Sequence, residues 1–169
     1  CTGTPITATV TVNPALYIGC PGNMIETITS LNIPCFKAVN TPNPAFCGTL
    51  TKLTWKLTGA TVLSSPTSGI NYLGLRNMNV GTTTVTYTAT FAGAIVRTCS
   101  FTVLVIETVP PNIYCPLDKT VTTDVGKCYK TGPISLGTPV VSDNCGIASV
   151  TNNAPAVYLK GENLVTWTV

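Results

Sequence analysis

The 169-residue sequence contains no histidine. That removes the side chain most used as a general base near neutral pH and the commonest neutral metal ligand. Charge is also scarce: Lys and Arg number 9, Asp and Glu number 6, and together they make up 9% of the chain. The cations are scattered singly, without the basic clusters that meet phosphates, so no nucleic-acid footprint is expected. The six carboxylates (Glu26, Glu107, Asp118, Asp124, Asp143, Glu162) are dispersed, and no pair suits acid–base work. No GxSxG stretch and no phosphate-cradling glycine loop occurs. No catalytic residues and no cofactor are therefore expected.

Other absences narrow the class further. No apolar run reaches the 18–20 residues of a membrane-spanning helix, and no signal peptide is present, so no membrane insertion is expected. No Asn-x-Ser/Thr sequon occurs. None of the 8 cysteines stands in a CxxC pair, which argues against structural zinc. Disulfides are the expected use, and they imply an oxidising compartment outside the cytoplasm.

Threonine is abundant, at 31 residues, alongside 13 Pro and 14 Gly. Threonine is β-branched and suits a half-exposed pleated surface, so the composition predicts an all-β chain with many turns. The periodicity agrees. In "LTWKL" Leu53, Trp55 and Leu57 share a face, and in "TTVTYTATF" Val85, Tyr87, Ala89 and Phe91 do. "ITATVTV" aligns Ile6, Ala8, Val10 and Val12. "SFTVLVI" aligns Phe101, Val103 and Val105 but carries Leu104 and Ile106 on its other face, the mark of a strand buried on both sides. "LVTWTV" aligns Val165, Trp167 and Val169. Short strands separated by turn signals such as Pro21-Gly22 and Lys160-Gly161 point to β-sandwiches.

An internal repeat is visible. "IGCP" at Ile18–Pro21 returns as "IYCP" at Ile113–Pro116, and "VGTTTVTYTA" at Val80–Ala89 returns as "KGENLVTWTV" at Lys160–Val169. Gly81 thus matches Gly161, Val85 matches Val165, and Tyr87 matches Trp167. The chain divides on this reading into residues 1–12, the terminal strand of a preceding repeat; 13–106, a complete module; and 107–169, a module lacking its last strand within this chain. The inter-module strand would present Ile6, Ala8, Val10 and Val12. An open sandwich edge leaves N–H and C=O groups unpaired, so its expected partners are adjacent repeats or other copies of the protein along a fibre.

The second unit resembles the hyalin repeat family of extracellular immunoglobulin-like modules. The resemblance rests on Cys115-Pro116, Gly126-Lys127-Cys128, Asp143-Asn144-Cys145-Gly146, and Gly161 with Val165-Thr166-Trp167-Thr168. The first unit matches more loosely through Cys20-Pro21, Cys47-Gly48, Gly81 and Thr98-Cys99-Ser100-Phe101, without the Asp-Asn before Cys47. Arrays of such modules are similar to those of giant bacterial surface adhesins, including those of gliding bacteria. What the resemblance implies is tandem immunoglobulin-like β-sandwiches in a non-catalytic segment of an extracellular adhesin or filament. A pilus-like subunit polymerising by strand exchange and a carbohydrate-binding module of a secreted enzyme are the alternatives.

Eight cysteines allow 105 pairings, which the repeat reduces. The expected set is Cys20–Cys99, Cys35–Cys47 and Cys128–Cys145, with Cys1 and Cys115 pairing to adjacent repeats outside the chain; free thiols, or a Cys1–Cys115 bond, are the other outcome. Two further features have functional and plain readings. Asp143-Asn144 offers few oxygens for calcium and reads better as a turn that positions Cys145, so no metal site is expected. Trp55, Tyr87 and Trp167 lie on alternating strands and read as core, whereas Tyr72, Tyr129 and Tyr158 are the candidates for exposed contacts with surface glycans.

Overall fold

The structure, a computed structural model, describes residues 8–10 and 15–169. Cys1, Ile6 and Val12 of the expected first strand lie outside the described residues, and Ala8 and Val10 are exposed and outside any strand. The fold is all-β. Its one helical turn is the 3₁₀ segment Ala92–Ala94 among the described residues. Two compact units separate between Ile106 and Glu107, with Ile28–Cys35 belonging to the second.

Unit 1 is built on nine strands: β1 (Tyr17–Gly19), β2 (Met24–Ile28), β3 (Phe36–Asn40), β4 (Ala45–Cys47), β5 (Leu50–Gly59), β6 (Leu63–Ser64), β7 (Leu75–Asn79), β8 (Gly81–Phe91) and β9 (Ile95–Glu107). The main sheet runs β2-β9-β8-β5-β6; β3 pairs with β7 and β1 with β4. The period-2 pattern of β8 decides which way the sheet faces. Thr83, Val85, Tyr87, Ala89 and Phe91 are buried, and the intervening threonines point outward. The same alternation buries Leu53, Trp55 and Leu57 on β5 and Phe101, Val103 and Val105 on β9. β9 is not buried on both sides: Leu104 is half-buried and Ile106 exposed, so one face of the sheet meets solvent. On that face threonines line up across three strands, Thr54↔Thr88↔Thr98 and Thr58↔Thr84↔Thr102.

Val39 and Met78 on the β3–β7 ladder and Leu73 ahead of it complete the core, all almost fully buried. Each such side chain contributes about 1.5–3 kcal/mol by leaving water. Three buried polar contacts hold this layer, while the buried Trp55 Nε1 has no hydrogen-bond partner among the described residues. The Leu73 N–H donates to Tyr87 Oη at 3.1 Å, Thr61 N–H to Thr83 Oγ1 at 3.1 Å, and Asn79 N–H to Thr61 Oγ1 at 2.8 Å. Cys20 is bonded to Cys99, so the entry to β2 is fixed to the middle of β9.

Unit 2 carries shorter ladders: β10 (Asn112–Tyr114) with β12 (Val140–Ser142), β11 (Tyr129–Thr131) with β14 (Val157–Leu159), and β13 (Thr151–Asn152) with β15 (Trp167–Thr168). Its core is thin. After Glu107 only Pro139 and Tyr158 are buried. Asp124 orders the entry to β11: it accepts Lys130 Nζ at 2.7 Å on Oδ1 and the Thr131 N–H at 2.9 Å on Oδ2. The Lys130 ammonium, helped by that N–H, holds this carboxyl well below the usual carboxylate range.

The second disulfide joins Cys35 to Cys145. The expected local staples Cys35–Cys47 and Cys128–Cys145 are therefore corrected, and Cys47, Cys115 and Cys128 are exposed thiols without a partner among the described residues. The register explains the difference. Cys47 ends β4 opposite Tyr17, the place held in unit 2 by Ser142 opposite Asn112, so Cys47 and Cys145 are not counterparts. Cys145 sits instead in a turn where its N–H donates to Asp143 Oδ1 at 2.6 Å and Asn144 Nδ2 donates to the Ile33 carbonyl at 3.0 Å. That turn meets the Ile28–Cys35 segment and brings the two sulfurs together.

A candidate strand-acceptor surface

The two units use one pairing scheme. Ile18↔Phe46 in β1–β4 returns as Ile113↔Val141 in β10–β12, with the two isoleucines already matched by the sequence repeat. Lys37↔Met78 in β3–β7 returns as Lys130↔Tyr158 in β11–β14. Trp55↔Tyr87 in β5–β8 returns as Asn152↔Trp167 in β13–β15. The matched glycines Gly81 and Gly161 share a left-handed backbone, with φ of 111° and 113°, which only glycine adopts without strain.

The units differ in what lies beyond these ladders. In unit 1, β9 runs between β2 and β8 and places Cys99 opposite Tyr87. In unit 2, β15 pairs with β13 alone among the described residues. The stretch 119–123 follows Cys115 at the spacing by which β2 follows Cys20, but it has no strand pairing and every residue in it is exposed.

An open groove of about 790 Å³ lies in unit 2, lined by Pro133, Ile134, Leu136, Pro155, Tyr158 and Trp167 among others. Its walls include the counterparts of the unit 1 core: Tyr158 stands for Met78, Trp167 for Tyr87 and Asn152 for Trp55. Trp167 and Val165 are half-buried, not enclosed. In unit 1 Phe101, Val103 and Val105 of β9, the strand paired with β8, are buried.

The aromatic expectations divide. Trp55 and Tyr87 are core, whereas Trp167 is groove wall. Tyr158, expected at the surface, is 8% exposed because it holds the Met78 position of the ladder. Tyr72 is exposed and Tyr129 half-buried, the latter beneath Lys127 Nζ at 5.0 Å from the ring centroid. Trp55 has its ring under the Arg76 guanidinium at 5.5 Å, so that face is taken. Among the described residues no set of three Cys, Asp or Glu converges, and Asp143-Asn144 is engaged in the turn beside Cys145. No helix among the described residues is long and apolar enough to cross a membrane.

No family model, no curated protein and no solved structure matches the chain.

Proposed function

We propose that the chain is a non-catalytic run of tandem immunoglobulin-like modules within a long extracellular adhesin or surface filament. The supporting observation is the recurrence of three ladders, in the same order and register, in two consecutive units. Modules stacked along a polypeptide draw stability from their neighbours, and disulfides hold each one against unfolding. The two disulfides fit an oxidising extracellular setting. The resemblance of the second unit to hyalin repeats, and of such arrays to those of gliding bacteria, points to attachment as the task.

The decisive experiment is reducing, denaturing electrophoresis of the native surface polypeptide, paired with attachment under flow by cells lacking it. A very large polypeptide whose loss abolishes attachment is expected. The open edge at β15 also suits a pilus-like subunit assembled by strand exchange, and a small native polypeptide would favour that reading instead.

A further inference from the structure

We propose that unit 2 accepts a β-strand from outside residues 1–169, seated between β15 and the stretch 119–123 in the register that β9 holds in unit 1. The strand carries a cysteine opposite Trp167, which bonds to Cys115, and apolar side chains two, four and six residues further on. This inference rests on the reading of the two units as copies of one module.

Four observations define the slot and its occupant. Both neighbours of β9 have counterparts in unit 2: β15 stands for β8, and 119–123 stands for β2. Neither shows a pairing partner on the side that β9 would take, among the described residues. Exposed rows of N–H and C=O groups bind a further strand through the main chain. Trp167, the counterpart of Tyr87, borders an open groove, whereas in unit 1 Phe101, Val103 and Val105 on the strand beside β8 are buried, which sets the apolar positions of the incoming strand. Cys115 is an exposed thiol, whereas its counterpart Cys20 is bonded to Cys99, the residue opposite Tyr87.

The chain's own amino-terminal segment does not meet this specification. Ile6, Ala8, Val10 and Val12 stand at odd separations from Cys1, whereas Phe101, Val103 and Val105 stand at even separations from Cys99. Side chains alternate along a strand, so an odd offset turns the apolar set away from the groove once the cysteine is in place. Pro5 also lacks the N–H that a strand paired on both sides requires. The occupant is therefore a β9-type strand and not residues 1–12 of a second copy.

The covalent step is an oxidation by a small-molecule disulfide. The Cys115 thiol and the thiol of the incoming strand give up two protons and two electrons to form one S–S bond. The small disulfide takes them up and leaves as two thiols.

The test uses the 169-residue chain and a synthetic peptide of its own Ile95–Glu107 sequence, in a glutathione redox buffer. Mapping of non-reduced digests is expected to place the peptide on Cys115 about tenfold more often than on Cys47 or Cys128, because seating raises the local thiol concentration. Hydrogen exchange is expected to slow at 119–123 and 166–168. A Cys99→Ser peptide is expected to give the same protection without the bond. A peptide with Phe101→Asp, Val103→Asp and Val105→Asp is expected to give neither. Equal labelling of the three thiols without protection overturns the proposal. So does protection that arises without peptide, grows with chain concentration and vanishes when residues 1–12 are removed, since a second copy then fills the slot. The array reading stands or falls separately: a very large native polypeptide with no peptide uptake sinks the slot alone, and peptide uptake by a small native subunit supports the slot while removing the array.

Discussion

The phenol of Tyr87 accepts the Leu73 N–H at 3.1 Å, and both residues are fully buried. This bond ties the central strand of the main sheet to the segment leading into β7. Tyr87→Phe leaves the N–H unsatisfied away from water, at about 1–3 kcal/mol. Burial pushes the Tyr87 hydroxyl up from its ordinary value of 10.0, so the folded chain keeps a proton that the unfolded chain releases. The resulting stability is complete below pH 10 and is lost as pH rises through the higher folded value. Denaturant melts of wild type and Tyr87→Phe across pH 7 to 11 are expected to converge at the alkaline end.

The Cys20–Cys99 bond spans 79 residues of sequence, nearly all of unit 1. Constraining a loop of that length in the unfolded chain stabilises the fold on the order of 4–5 kcal/mol in the loop-entropy treatment. Cys20→Ser/Cys99→Ser is expected to lower the urea midpoint of unit 1 strongly and to raise its m-value, because the uncrosslinked unfolded chain exposes more surface, followed through Trp55 in a Trp167→Phe background.

Leu53 is fully buried on β5, whereas Leu63 on β6 is 47% exposed. Leu53→Ala removes packed methyl groups and leaves a cavity, at about 2–5 kcal/mol. Leu63→Ala is expected within about 0.5 kcal/mol of wild type. Equal losses by calorimetry would contradict the assignment of the core face.

Asp124 carries the acid-side dependence of unit 2. Its carboxyl is held low by Lys130 and the Thr131 N–H, so its contribution is complete above the ordinary value of 3.8 and is lost as pH falls below it. Asp124→Asn is expected to flatten the decline in unit 2 stability below about pH 4, measured by hydrogen exchange at β11 and β14, and to leave unit 1 unchanged.

Much of unit 1 was legible because its strands alternate cleanly. Leu53, Trp55 and Leu57, and Val85, Tyr87, Ala89 and Phe91, are buried as their spacing predicts. Ladder register was not legible. Cys47 and Cys145 each precede a glycine and look equivalent in sequence, but Cys47 shares its ladder place with Ser142, and the partner of Cys145 depends on a turn held by Asn144 and Ile33. Tyr158 lies in a stretch too short to show a period, so its burial emerged only from the pairing with Lys130. Trp167 shows the same limit from the other side. Alternation assigned it to a core, but burial needs a neighbour strand that residues 15–169 do not supply to it.

The outward threonine rows of the main sheet carry one more consequence. A wall of hydroxyls and methyls, with Lys52 and Lys56 the ionised groups that β5 adds to it, gives dissolved ions little to screen. The sheet should therefore keep the same shape and wetting in dilute buffer and in concentrated salt.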